Sequence, residues 1–184
     1  MTEAIHEQET DGDALLIERY RAGDERAATE LVERHAGAVA RFVASLGERD
    51  EVEEVVQDTL VRAFGALDGF RAESAFRTWL FTIARRLVLD RRRAGARQRA
   101  RLSTVEADAT VEHTALDDVV ARETESRVGA AIGRLTPTQR EVFVLRVTEG
   151  RSYREIAEIA GTTEGAARVH YHNAMRAVKE VLDA

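Results

Sequence analysis

Apolar positions recur every three or four residues through most of the chain, and this spacing predicts helices. One series runs from Ala14 to about Arg93 and a second from about Glu123 to the end. Glycine or a helix-capping residue interrupts the first series at three places, which are residues 22–24, 46–50 and 67–74. The first series therefore predicts about four helices.

Between the two series the periodicity fades into small, polar and acidic residues that have little to bury. We expect an all-α protein with two small helical domains, residues 14–95 and 123–184, joined by a flexible linker over residues 96–122. Residues 1–13 carry five acidic residues and no basic one, so they predict an acidic, disordered N-terminal tail.

Two capping boxes mark helix starts in the second domain, at Thr136–Gln139 and Ser152–Glu155. The run Tyr153–Ala167 after them has helix-turn-helix spacing. Gly161 can adopt the positive φ of the tight turn, and Ala157 is small enough for the second helix to cross it. An ordinary antiparallel helical hairpin is the alternative structure for this segment.

The distribution of charge is uneven along the chain. The sequence holds 33 acidic and 27 basic residues, a net charge of -6, which by itself argues against nucleic acid as a partner. Residues 71–101, however, contain ten arginines and only two acidic residues. This asymmetry indicates a polyanionic partner, although a solvated basic face would have the same composition.

Aromatic residues alternate with arginines at the start of the basic stretch, from Phe70 to Phe81. Aromatic rings stack on unpaired bases while arginines follow the backbone, which is the chemistry of single-strand binding. Four apolar side chains in this stretch have helical spacing and are expected in the core instead: Phe76, Trp79, Leu80 and Ile83. We expect DNA contact from the loop at residues 70–75 and from the exposed arginines.

The segment from Asp50 to Phe64 predicts an amphipathic helix with acidic residues on its outer face. That face cannot hold DNA, and no histidine, lysine or glycine-rich loop accompanies it for acid/base catalysis. It is therefore either a protein-docking surface or a solvated face.

Several function classes are excluded by what the sequence lacks. It has no cysteine, hence no disulfide or thiolate zinc site, and it has no phosphate-binding loop. His170 and His172 diverge on a helix and cannot chelate one metal ion. We expect no catalytic residue, no cofactor and no metal site. No apolar run approaches a membrane span and no secretory signal is present, so the expected compartment is the cytoplasm.

The chain resembles the extracytoplasmic-function (ECF) sigma factors, which are promoter-recognition subunits of bacterial RNA polymerase. The resemblance covers residues 14–95, similar to the family's region two, and 126–182, similar to its region four. It rests on five motifs in family order: Arg21–Ala28, Asp50–Phe64, Phe70–Leu80, Leu135–Phe143 and Tyr153–Gly165.

The resemblance implies three partners: core RNA polymerase, promoter DNA and an anti-sigma factor. It implies no membrane contact by the chain itself. The acidic helix would dock on the polymerase clamp through Asp50, Glu53, Glu54, Gln57 and Asp58. The region-four domain would bind the polymerase flap, and an anti-sigma protein would cover the polymerase-binding surfaces.

The resemblance also implies two DNA-binding sets. The loop at residues 70–76 would capture a base flipped from the non-template strand of the minus-ten element. The minus-ten set is Phe70, Arg71, Glu73, Ser74, Arg77, Arg85, Arg86, Arg91 and Arg92. The minus-thirty-five set, on a recognition helix at residues 162–176, is Thr162, Thr163, Glu164, Arg168, His170, Tyr171, Asn173 and Arg176. His170 and Asn173 stand where the family often has arginine, which should weaken phosphate attraction.

The sequence therefore predicts a transcription initiation factor without enzymatic activity. A stand-alone dimeric helix-turn-helix regulator is the alternative, but it leaves the basic stretch and the acidic helix without a role. A small helical enzyme or adaptor that uses the acidic helix is a weaker alternative because no nucleophile, metal set or phosphate loop is present.

Overall fold

The computed structural model describes three stretches of the chain, residues 2–48, 51–102 and 129–183. All secondary structure in these stretches is helical, which confirms the all-α fold class. The first stretches contain α1 (Thr2–Arg21), α2 (Glu25–Ser45), α3 (Val52–Gly65) and α4 (Phe76–Leu102), with a 3-10 turn at Leu67–Gly69 between α3 and α4. The four expected helices are present, and the breaks between them lie where the sequence predicts.

The last stretch begins with helical residues at 129–133 and continues with α5 (Pro137–Val147), α6 (Tyr153–Ala160) and α7 (Glu164–Leu182). Both capping boxes are formed, since each cap hydroxyl accepts from the backbone of the third residue and the side chain of that residue returns to the cap. Gly161 ends α6 with φ 63° in the left-handed region. The helix-turn-helix is therefore α6 and α7.

Two helices extend beyond their expected ends. An acidic tail is expected before residue 14, yet α1 begins at Thr2 and Asp13 is buried against α2. The linker is expected from residue 96, yet α4 continues through Leu102 because its last turns consist mainly of alanine, arginine and glutamine, all strong helix formers. The rest of the expected linker lies outside the described residues.

The core of the first domain packs α2 and α4 against α1 and α3. Phe42 and Phe81 meet at its centre, where their ring centroids are 4.9 Å apart and both side chains are fully buried. The four side chains expected in the core are there: two are buried and two are partly buried against the cluster, Phe76 and Leu80 in the first case and Trp79 and Ile83 in the second.

The same hydrophobic cluster continues into the second domain. It includes Val142 and Leu145 of α5 and Ile156 and Ile159 of α6. The helix-turn-helix domain therefore packs directly on the first domain, along α2 and α4. None of the described helices is both long enough and apolar enough to cross a bilayer.

Candidate nucleic-acid and polymerase interfaces

The loop at residues 70–75 joins the 3-10 turn to α4, and two kinds of contact hold it. Phe70 packs on Trp79 and Phe76, with ring centroids 4.9 and 5.7 Å apart respectively. Arg21 of α1 donates hydrogen bonds to the backbone oxygens of Leu67 (2.7 Å) and Phe70 (2.9 Å). The start of the loop is therefore anchored while its tip remains exposed.

A cleft of about 440 Å³ lies between this loop and α1. Both elements contribute polar and apolar side chains to its walls, among them Asp13, Ile17 and Arg21 from α1 and Phe70, Arg71, Ser74 and Phe76 from the loop side. Ala72 in the loop has φ 56°, a conformation that costs a non-glycine residue energy and that recurs at functional sites. Glu73 is exposed beside the cleft.

A buried polar group lies beneath the cleft. Asp13 Oδ1 accepts a hydrogen bond of 2.8 Å from Arg34, and Asp13 Oδ2 lies 2.9 Å from Nε2 of the fully buried His35. Arg77 donates to His35 Nδ1 over 3.3 Å, so this member of the minus-ten set is directed partly inward. Sequence reasoning missed Asp13 and His35; the available signal was a polar residue at a core-facing helical position in each case.

Polar contacts between described residues join α2 and α4 to the second domain. Arg85 Nε donates to Glu141 over 2.6 Å, Thr78 Oγ1 donates to Glu155 over 2.7 Å, and Arg41 Nε donates to Glu149 over 3.0 Å. All three carboxylates belong to the second domain. Arg85, assigned to the minus-ten strand, is therefore bound to an acidic residue of the other domain.

The carboxyls of the interface differ in their electrostatics. Burial raises the pKa of Glu141 above its ordinary value, although the nearby Arg85 guanidinium acts to lower it. Burial also acts to raise the pKa of Glu155, but hydrogen bonds from Ser152 and Thr78 and the charge of Arg151 outweigh it, and the pKa is lowered. Glu141 is thus poorly compensated, whereas Glu155 is held as a carboxylate.

Some residues expected to bind DNA contact residues expected to bind polymerase. Arg91 of α4 forms ion pairs of 2.8, 2.8 and 2.9 Å with Glu51, Glu54 and Asp58 of α3, and these hydrogen bonds raise its pKa. Arg92 binds Glu48 at 2.8 Å and donates to the Leu46 carbonyl. Because α3 and α4 pack side by side, the arginines of α4 lie within ion-pair distance of acidic residues in and just before α3.

Three further members of those two sets are exposed. Arg86 is exposed on α4, and Glu53 and Gln57 are exposed on α3 without hydrogen bonds or ion pairs to the described residues. Asp50 lies outside the described residues. The outer face of α3 therefore keeps Glu53 and Gln57 open, while Arg91 partly neutralises Glu54 and Asp58.

The recognition helix α7 presents only some of its expected residues to solvent. Glu164, Arg168 and Arg176 are exposed. Thr163 is exposed and also caps the helix, since its hydroxyl accepts from the Ala166 backbone over 3.1 Å. The other four expected residues are half-buried: Thr162, His170, Tyr171 and Asn173.

Tyr171 packs on Tyr153 of α6, with ring centroids 6.0 Å apart, so it helps to join the two helices. Arg168 and Arg146 both place their guanidinium groups over the Tyr153 ring, at 4.6 and 4.8 Å from its centroid. His172 is exposed on α7, and so is Val169, which sequence reasoning did not include among the DNA contacts.

No group of three or more histidine, aspartate or glutamate side chains in the described ranges has the arrangement of a metal site. The exposed features are instead an aromatic and basic loop with a cleft, an acidic helix face and a helix-turn-helix. Aromatic and basic groups beside a helix-turn-helix suit contact with both single-stranded and duplex DNA.

Residues 31–98 match the family model for Sigma-70 region 2, and residues 126–178 match the model for Sigma-70, region 4. The RNA polymerase sigma factor CnrH of Cupriavidus metallidurans is 33% identical over 183 residues, covering 95% of this chain and 96% of the relative. The chain belongs to the ECF sigma factors. The ECF RNA polymerase sigma-E factor of Escherichia coli (strain K12) is 32% identical over 178 residues, covering 90% of this chain and 92% of that one.

Solved structures of this family have the same fold. The sigma factor RpoE from Bartonella quintana, in complex with the anti-sigma factor NepR, aligns with a TM-score of 0.68 at 27% identity, over 85% of this chain and 96% of that one. CnrH in complex with the cytosolic domain of CnrY aligns with a TM-score of 0.66 at 31% identity, over 94% of this chain and 97% of that one.

Proposed function

We propose that this ECF sigma factor binds core RNA polymerase, directs it to specific promoters and helps to melt the minus-ten element, without catalysing a reaction itself. The observation that carries the proposal is the open cleft beside the loop at residues 70–75, which combines aromatic, cationic and polar walls. A flipped base requires such a pocket, since it is recognised by stacking and by hydrogen bonds to its edge. This function also assigns the chain to the cytoplasm.

The acidic face of α3 is the proposed surface for the polymerase clamp. Glu53 and Gln57 are its open members, and Glu54 and Asp58 join them once the polymerase displaces Arg91 from their carboxylates. Asp50 precedes α3 and is proposed as a further contact. The region-four domain is proposed to bind the polymerase flap.

Two DNA surfaces follow from the exposed residues. Phe70, Arg71, Glu73 and Ser74 are proposed to bind the flipped base, and Arg86 the strand beside it. Arg77, Arg85, Arg91 and Arg92 are proposed strand contacts that must first exchange their present partners. The exposed residues of α7 are proposed to contact the minus-thirty-five element through base edges and phosphates.

Promoter binding requires the two domains to separate. Arg85 is bound to Glu141 and Thr78 to Glu155, so α5 and α6 cover the first turns of α4 on one side. We propose that polymerase binding holds the domains apart on clamp and flap. Each domain then reads one promoter element, and their linkage gives a high effective concentration at the second element.

An anti-sigma factor is the proposed regulator. Of the two solved relatives described above, RpoE is bound to the anti-sigma factor NepR and CnrH to the cytosolic domain of CnrY, and the alignments cover 85% and 94% of the present chain. A protein that covers the acidic face of α3 and keeps the domains together would block polymerase binding.

Run-off transcription from a promoter library, with core RNA polymerase and with or without the chain, tests this function. Specific starts that require the chain are expected. Replacing Glu73 or Ser74 by alanine is expected to change promoter choice more than affinity for polymerase, because both flank the cleft. Asp68→Ala, on the exposed 3-10 turn outside the cleft, is the matched control.

Two results would contradict these proposals. A palindromic footprint on duplex DNA without polymerase, and no change in transcription starts, would support the stand-alone dimeric regulator. Unchanged promoter preference in the Glu73 and Ser74 variants would contradict the assignment of the loop.

A further inference from the structure

We propose that Asp13 determines base specificity in the cleft: its carboxylate accepts a hydrogen bond from the amino group on the Watson–Crick edge of a DNA base. Adenine, cytosine or guanine would then be favoured over thymine at one position of the melted strand. The proposal rests on the proposed function, because it requires a base to enter the cleft, and it adds α1 to a site otherwise built by the loop.

Asp13 lines the cleft, and its Oδ2 atom retains the capacity to accept a hydrogen bond. It lines the cleft opposite Arg71 and Ser74, and its side chain is only 5% exposed. Oδ1 accepts from Arg34, whereas Oδ2 accepts no hydrogen bond from the described side chains. His35 Nε2 lies 2.9 Å from Oδ2 but makes no hydrogen bond with it.

The surroundings hold the carboxylate in place. Arg34 reaches Asp13 across α1 at Gly12, where an added Cβ atom would lie 2.8 Å from the same Arg34 Nη1 that donates to Asp13. His35 is itself held by Arg77 through Nδ1 and by ring contact with Phe76, whose centroid is 5.4 Å away. A carboxylate fixed on two sides needs little reorganisation when a base binds.

The chemistry of the walls distinguishes the bases. Adenine, cytosine and guanine each carry an amino donor on the edge used for pairing, and a carboxylate oxygen accepts it well. Thymine presents two carbonyl oxygens there, with one N–H between them, and the carbonyls repel a carboxylate. Arg71 and Ser74 supply donors for the acceptors of the base, and Phe70 and Phe76 supply rings for packing.

The test uses polymerase holoenzyme reconstituted with the full chain and promoters that carry each base at every minus-ten position. The wild type should disfavour thymine at one position by about tenfold, as expected for one well-placed contact to a base edge. The amide of Asp13→Asn can donate to thymine. This variant should therefore disfavour thymine by no more than about threefold, because the contact that distinguishes the bases is lost. An analogue of the preferred base without the amino group, such as purine for adenine, should weaken the wild type but not Asp13→Asn.

Arg34→Ala separates base reading from a structural role of Asp13. This variant breaks the same contact between α1 and α2 but leaves the carboxylate at the cleft. If Asp13 reads the base, Arg34→Ala still disfavours thymine, to a smaller extent because its carboxylate is held less firmly, while Asp13→Asn loses the preference. If both variants lose the preference alike, Asp13 acts only by holding α1, and the proposal is overturned.

The failure of this proposal differs from the failure of the proposed function. Normal specific starts with identical base preferences in the wild type and Asp13→Asn would overturn the role of Asp13 and leave the sigma factor intact. No chain-dependent starts from any promoter would overturn the function itself.

Discussion

The first turns of α4 divide the molecule into an open side and a covered side. At the open side, the loop at residues 70–75 and α1 enclose a cleft that solvent reaches. At the covered side, Thr78 and Arg85 are bound by Glu155 and Glu141 of the second domain. Neighbouring residues of one helix therefore differ in availability, and membership of a basic stretch does not decide which arginine is free to bind DNA.

The difference is electrostatic as well as geometric. The covered side concentrates acidic side chains of the second domain against basic and hydroxyl groups of the first, where an approaching phosphate would otherwise bind. The open side keeps Arg71 exposed and Ser74 only partly covered. The proposed base-binding end of the site is therefore accessible, whereas the proposed strand-binding residues Arg77 and Arg85 are partly or wholly engaged.

Breaking the covered side should have the largest effect on stability. Arg85→Ala leaves the Glu141 carboxylate buried without its partner, and we expect the free energy of unfolding at pH 7 to fall by about 3 kcal/mol. Urea denaturation measures this free energy of unfolding. Arg86→Ala, at the exposed neighbouring position, is the control and should change it by less than about 0.5 kcal/mol. Equal losses in both variants would contradict the assigned contact.

Lowering the pH should change the contributions of two carboxyls of the covered side to stability in opposite directions. The pKa of Glu141 is raised in the fold, so its contribution to stability is present below its ordinary value of 4.5 and is lost as pH rises through the raised value. The pKa of Glu155 is lowered, so its contribution is present above 4.5 and is lost as pH falls through the lowered value.

Glutamine variants measure these two contributions separately. At pH 7, Glu155→Gln should lower the free energy of unfolding by about 1–2 kcal/mol, because hydrogen bonds to a charged acceptor are lost. Relative to wild type, this deficit should shrink below pH 4.5. The free energy of unfolding of the wild type, relative to that of Glu141→Gln, should increase as pH falls from 7 towards 4.5. Urea denaturation across pH provides the data, and parallel curves for both variants would refute the pKa assignments.

The smallest expected effect concerns the open side. Ala72→Gly removes the strain of a positive φ and should raise the free energy of unfolding by about 0.5–1 kcal/mol. Thermal denaturation measures this change in stability. Ala66→Gly, at φ -109° just before the 3-10 turn, is the control and should lower stability by a similar amount through added freedom of the unfolded chain. Destabilisation by both variants would show that Ala72 is not strained.

Local signals in the sequence predicted much of the fold correctly. Capping boxes begin α5 and α6, Gly161 supplies the left-handed turn, and the apolar spacing of the first domain marks four helices. These features depend on residues within a few positions of each other, where side-chain geometry and backbone preferences act directly.

The candidate site was less accessible to the same reasoning. Aromatic and basic residues identified the loop at residues 70–75, but nothing in the sequence linked it to Asp13, which stood in the expected acidic tail. Tyr171 carries the pattern of a DNA-contacting residue, and only the structure shows that it is half-buried and packs on Tyr153. A residue type indicates what chemistry is available, whereas exposure depends on which element covers it.

The sequence by itself determined the helices, the helix-turn-helix and the family to which the chain belongs. Only the tertiary structure decided that Arg91 binds three carboxylates of α3, that Arg85 meets Glu141 and that Asp13 faces the cleft. Periodicity identifies the apolar face of a helix but not the element that packs on it. Contacts between residues far apart in the chain depend on that packing, because charges interact through space and not along the sequence.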